Sequence, residues 1–237
     1  AASLNAGLGF YFHAIPEKAL QSPEIFNKTH EQILKSLSEL AIYAWEIGKV
    51  QVSLEQMYSP QQTPWTIKGA KEFIKEIYRR TEKPFYITID VGHQIGQRKF
   101  LRPKFEDIRN AISRFKRGGK IENIWLGPLS AYDIFEKTLK SNIINLKNYV
   151  KEIEFEMDKY PYMFAEYKDG DTYNWLEELA CYSPIVHLQQ NDGISSWGHA
   201  PFTKEYNNKG IIMPDKVLKA IARSYEKKEE VGMPPRC

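Results

Sequence analysis

Apolar positions along the first 91 residues alternate between two periods. Gly7 to Ala14 is a short apolar run that ends at His13 and is closed by Pro16, the pattern of a buried strand. From Ser22-Pro23-Glu24 onward, Ile33, Leu37, Leu40, Ala41, Ala44 and Ile47 recur at helical intervals until Gly48. That predicts an amphipathic helix with proline in its first turn and glycine at its stop. Val50 to Glu55 alternates apolar and polar residues as a short strand does. Ile67, Ala70, Phe73, Ile74 and Ile77 form a second helical stripe, and Phe85 to Asp90 is the clearest strand in the chain. Strand, helix, strand, helix, strand in this order predicts βαβ units and a parallel sheet.

The stretch 94–160 is less regular. Ile121 to Leu126 reads as a strand, and residues 131–157 read as helical, through Ile134, Leu139, Ile144, Leu146, Val150 and Ile153. Tyr162 to Tyr167 is predicted as a strand, Thr172 to Leu179 as a helix capped by Asp171, and Pro184 to Gln189 as another strand. A polar loop follows from Gln190 to Gly210. The last helix starts at Pro214 and carries Val217, Leu218, Ile221, Ala222 and Tyr225.

Composition narrows the class without naming it. Of 237 residues, 42% are hydrophobic and 27% charged, which excludes disorder, collagen and a membrane bundle. No apolar run approaches the roughly 18 residues that a membrane span needs. A formal charge of +3 argues against a nucleic-acid partner, which calls for a dense basic patch. Cys181 and Cys237 are too few for a disulfide framework or a cysteine zinc site, and Cys181 has no base near it to make it a nucleophile. The chain shows no secretory leader pattern, so a cytoplasmic location is the default expectation.

In parallel α/β folds ligands gather at the carboxyl ends of strands. There the sequence places His13, Glu55, Asp90 (with His93 three residues on), Glu166 and His187. Carboxylate and imidazole ligands without thiolate suit a divalent ion such as Mn²⁺, Mg²⁺, Co²⁺ or Zn²⁺. Such an ion polarises a carbonyl, and a neighbouring carboxylate can take the proton from the adjacent carbon.

Three segments carry a family resemblance. Ser53-Leu54-Glu55-Gln56-Met57 resembles the strand-end Leu-Glu-Pro segment of xylose-isomerase-like TIM barrels. Ile89-Asp90-Val91-Gly92-His93 is similar to that superfamily's Asp-x-x-His step, and Ile185 to Gly193 to its later strand with a metal-binding histidine. The superfamily includes sugar isomerases, ketose 3-epimerases and endonuclease IV. The resemblance covers about residues 7–93 and 160–225 and is nearest to the sugar phosphate isomerase/epimerase branch.

The resemblance implies a metal held by Glu55, Asp90 and His187, with Glu55 also an acid/base and His93 hydrogen-bonded to substrate near its carbonyl. His13, Ser195, Trp197 and His199 are the further candidates for binding substrate, with Ser196 beside them. Arg98, Lys99 and Arg102 are candidates to meet a phosphate. Tyr58, Trp65 and Trp197 follow strand ends and are candidate sugar-stacking rings, whereas Trp175 reads as core. The family's fourth ligand, a glutamate on the last barrel strand, has no counterpart.

Counted against a (β/α)8 barrel, the chain therefore reads as incomplete. The first two βα units and the last strand are unaccounted for in one domain over 1–237, a piece of a barrel of roughly 300 residues. Asp90 and His187 stand 97 residues apart, which implies an ordered helical insertion of about 60 to 70 residues within 94–160. The implied activity is isomerisation or epimerisation of a sugar or sugar phosphate, and the resemblance also implies a homo-oligomer, since relatives often pair. Two alternatives stand beside it. An endonuclease IV-like repair enzyme would need an Asp-x-His pair where Trp197-Gly198-His199 stands. A non-catalytic sugar-binding remnant would follow from the missing strand.

Overall fold

The computed structural model describes residues 7–12, 14–120, 123–141, 145–194, 199–227 and 231–235. Four strands make one parallel sheet in the order β1 (Leu8–Phe10), β2 (Val52–Glu55), β3 (Tyr86–Asp90) and β4 (Val186–His187). The registers pair Leu54 with Phe10 and Ile87, and Asp90 with His187.

Helices α1 (Glu17–Leu20), α2 (Pro23–Gly48) and α3 (Ile67–Thr81) belong to the first two connections. Ser22 caps α2 by accepting from the Ile25 N–H, and Thr66 caps α3 by accepting from the Gly69 N–H. Leu34, Leu37, Ala41 and Ala44 of α2 bury against Val52, Leu54 and Phe73. The spacing of those apolar positions is the one that predicted the helix. Arg80 ties the two helices together by donating to both Glu31 and Glu76.

Strand β3 is buried along its whole length. Ile87 and Ile89 pack with Trp175 and Leu176 of α8 (Thr172–Leu179) and with Val217 and Ala220 of α10 (Pro214–Glu226). The other face of the sheet is small and polar. Ser53 and Thr88 hydrogen-bond at 2.8 Å, and a Cβ on Gly9 would meet both hydroxyls and Ile185 at 3.3 Å. Such a sheet, with helices between its parallel strands, is consistent with an incomplete α/β barrel.

β3 and β4 are neighbours although 97 residues separate Asp90 from His187. The intervening chain runs through α4 (Gln94–Gln97), α5 (Phe105–Lys116), α6 (Leu129–Lys140), α7 (Leu146–Asp158) and α8. Helices α5, α6 and α7 share a second core with α1, in which Ile108, Ile112, Phe135, Val150, Ile153 and Met157 bury together with Ala19 and Leu20.

Several expectations are corrected. Tyr162 to Tyr167 is not a strand. It holds a 3-10 turn at Pro161–Met163, a single parallel bridge from Ala165 to Leu101, and a second 3-10 turn at Tyr167–Gly170. Its aromatic alternation serves packing onto helices instead. Tyr162 stacks on Phe26 at 3.5 Å and donates to the Leu20 carbonyl, and the Trp125 indole donates to the Met163 carbonyl. Nor is a strand present at 123–126, where Tyr132 satisfies both the Leu126 N–H and the Ile124 carbonyl. The helical stretch 131–157 is two helices, broken between Lys140 and Leu146. α5 is an additional helix within 94–160, burying Ile108, Ala111 and Ile112 with Phe105 and Phe115 packed at its two ends. The polar loop after β4 contains a short helix, α9 (Lys204–Asn207). No helix among the described residues is long and apolar enough to cross a membrane.

Candidate active site

Glu55, Asp90 and His187 are the last residues of three adjacent strands. Glu55 lies opposite Thr88, two residues before Asp90, and Asp90 lies opposite His187, so two-residue alternation sends all three side chains to the same face. The His187 Nδ1 lies 3.3 Å from Glu55 Oε1 and 3.4 Å from Asp90 Oδ2. The three ligand atoms all fall within 4.8 Å of one another. The carboxylates are sheltered, with side chains 14% and 5% exposed, while the His187 side chain is 45% exposed and forms the open side.

A second triad shares Asp90. His199, on the strand-like segment that pairs Ala200 with Gln190, brings its Nε2 to 3.5 Å from Asp90 Oδ2. His93 completes this group. Its ring meets His199 and Tyr58 edge-on, with centroids 5.4 and 5.3 Å away. The His93 Nδ1 is 2.7 Å from the Gln56 carbonyl oxygen, which can only accept. Nδ1 is therefore the protonated nitrogen, and in the neutral ring Nε2 keeps its lone pair.

Glutamines build the surroundings. The Asp90 carbonyl accepts from the side-chain amides of Gln56 at 2.7 Å and Gln94 at 2.9 Å. Thr172 holds Gln94 in turn. The buried Gln97 amide donates to the carbonyls of Met57 and Trp65, fixing the loop beyond β2. The Asp90 Oδ1 accepts from the Gly92 N–H at 2.8 Å and from the Gln189 amide. None of these glutamines was singled out in the sequence. Two-residue periodicity along Val186–Gln189 would have found Gln189, which shares a face with His187.

The structure thus brings together Glu55, Asp90, His93, His187 and His199. His13, Ser195, Ser196 and Trp197 lie outside the described residues. Glu166 is exposed on a 3-10 turn and pairs with Lys168 at 3.2 Å, so it does not end a strand. Trp65 is buried against Phe100 and is packing rather than a sugar platform, whereas Tyr58 is half-exposed beside His93. Arg98 donates to the Gly170 and Gly193 carbonyls, and Arg102 pairs with Asp158 over the Phe164 ring. Trp175 is core, and burial pushes the Cys181 thiol up, away from the thiolate that a nucleophile needs.

Two carboxylates and three imidazoles at the carboxyl ends of parallel strands define an α/β protein with a polar, strand-end site. The oxygen and nitrogen donor set is one that a divalent cation accepts. No family model matches the chain. Over 54 residues it is 43% identical to D-erythrulose 1-phosphate 3-epimerase of Brucella abortus (strain 2308). The matched stretch is 23% of this chain and spans only 17% of that enzyme.

Proposed function

We propose that this chain belongs with the xylose-isomerase-like barrels and acts as a divalent-metal-dependent isomerase or epimerase of a sugar or sugar phosphate. The convergence of Glu55, Asp90 and His187 at three neighbouring strand ends carries the reading. The similarity to a sugar phosphate epimerase supports it. On the same reading 1–237 is one barrel-type domain with a helical insertion within 94–160.

Glu55, Asp90 and His187 would hold the ion. When bound, the ion supplies Lewis-acid polarisation of a substrate carbonyl and stabilises negative charge on its oxygen. Glu55 takes the proton from the carbon beside that carbonyl and returns it. Asp90 is less suited to this task, because its Oδ1 is occupied by two N–H donors. His93, with Nδ1–H given to Gln56, presents Nε2 as an acceptor and so receives a hydrogen bond from a substrate hydroxyl. His199 stands on the exposed side of Asp90, where it contacts the same substrate. Among the described residues no second glutamate joins the cluster. One carboxylate suffices for an aldose–ketose shift, in which the proton moves between neighbouring carbons; epimerisation calls for a second group on the opposite face.

The experiment is proton exchange with solvent. The protein, loaded in turn with Mn²⁺, Co²⁺, Mg²⁺ or Zn²⁺, is incubated in D₂O with ketoses and ketose phosphates, D-erythrulose 1-phosphate among them. Deuterium is expected at the carbon next to the carbonyl, read by NMR. Failure to exchange with every substrate and ion would overturn the proposal.

A further inference from the structure

Asp90 is the residue common to both triads, and it has one carboxylate oxygen for each of two tasks. Oδ1 accepts from the Gly92 N–H and the Gln189 amide. Oδ2 faces the imidazoles of His187 and His199 at 3.4 and 3.5 Å. We infer that Gln189 is a positioning residue that locks the rotation of the Asp90 carboxylate, committing one oxygen to N–H donors and presenting the other to the metal. The inference rests on the metal-dependent reading above.

Three observations carry it. The terminal torsion of an aspartate is broad, so its rotamer does not decide which oxygen faces the site. The backbone of Asp90 is held separately, by Gln56 and Gln94 through its carbonyl, so the carboxylate's rotation is set by the Gly92 N–H and by Gln189. Gln189 reaches Oδ1 from two residues beyond the end of β4, so the orienting group sits on the same short segment as the ligand His187. The donor is also uncharged. An arginine or lysine there would neutralise the carboxylate that the cation needs, and a glutamate would repel it.

Gln190, the next residue, points the other way and makes its contacts with Asn191, Asn207 and Ile212. Gln189 therefore serves the site and Gln190 the packing behind it.

The test compares the full chain with Gln189→Leu and Gln189→Met, both of similar size and without a donor. Mn²⁺ binding to the metal-free proteins is measured by titration calorimetry, and the thermal midpoint of each metal-free protein is measured in parallel. Both variants are expected to bind Mn²⁺ about 10–100-fold more weakly, the usual effect of removing a group that orients a metal ligand. Their metal-free midpoints are expected to stay within about 2 °C of the parent. If the parent binds Mn²⁺ and both variants bind it equally well, the role of Gln189 is overturned while the metal centre stands. The same holds if affinity falls only in step with a falling midpoint. If the parent binds no Mn²⁺, the metal-dependent reading fails and the inference with it.

Discussion

Replacing Gln190 by leucine tests how the chain around Ile212 is held behind β4. Gln190 is 1% exposed, and its amide pairs with the backbone of Ile212 as a strand would. Its Nε2 donates to the Ile212 carbonyl at 3.1 Å, and its Oε1 accepts from the Ile212 N–H at 2.8 Å and the Asn191 N–H at 3.2 Å. Leucine fills a similar volume but leaves those three buried backbone groups without these bonds. At about 1–3 kcal/mol for each orphaned group, the loss is about 3–9 kcal/mol. The buried leucine recovers about 1.5–3 kcal/mol through apolar burial. Taking the middle of each range, the net cost is about 4 kcal/mol, a large share of the roughly 5–15 kcal/mol that a domain has. Urea denaturation followed by tryptophan fluorescence reads this as a lower midpoint at unchanged slope. Hydrogen exchange at the Ile212 amide gives a local readout, with protection expected to fall. A loss below about 0.5 kcal/mol, with Ile212 still protected, would refute the reasoning. A Cβ built on Gly210 overlaps the Gln190 side chain, so Gly210→Ala is also destabilising, and less than additively in a Gln190→Ala background.

Three further outcomes are expected. Glu55→Gln keeps the shape of the strand end but removes the base, so solvent exchange into substrate should fall about 10²–10⁴-fold; an undiminished rate would remove Glu55 from the proton transfer. His30 lies between Phe26 and Phe73, and burial pulls its pKa below the ordinary 6.5 despite the opposing pull of Glu72. The fold favours the neutral ring, so this contribution to stability is present above pH 6.5 and is lost as pH falls through the lowered value. His30→Gln should flatten the stability profile between pH 7.5 and 5, and identical profiles would contradict the assignment. At Gly127, where φ is +74°, a Cβ would stand 2.5 Å from the Phe164 ring. Gly127→Ala should cost about 2–5 kcal/mol from left-handed backbone and overpacking together, with part of it relieved by Phe164→Leu. Equal losses with and without Phe164→Leu would show that the ring is not what alanine meets.

The site was legible in part because the carboxyl ends of parallel strands share one edge of the sheet. Once Glu55, Asp90 and His187 are each read as the last residue of a strand, their convergence needs only that the strands be neighbours. His93 follows from the turn after β3. The glutamines were harder to see, because a buried amide leaves no period or charge signal of its own. Gln97 acts through the Met57 and Trp65 carbonyls of a loop, and Gln56 through the Asp90 carbonyl on the next strand, contacts that no local pattern reveals. The misread strand at Tyr162 to Tyr167 has the same origin. Its alternating aromatics satisfy a two-residue period, but their partners are Phe26, Leu20 and Trp125, three segments distant in sequence.

Local pattern alone thus determined the βαβ start of the chain, the caps of its long helices and the residue types at three strand ends, since all of these depend on neighbours within about a turn. Only the tertiary structure decided that β4 lies against β3 across 97 intervening residues. It also decided that α5, α6 and α7 build a core together with α1, and which oxygen of Asp90 faces the imidazoles. Those outcomes depend on contacts between residues remote in the chain, which hydrophobic periodicity does not record.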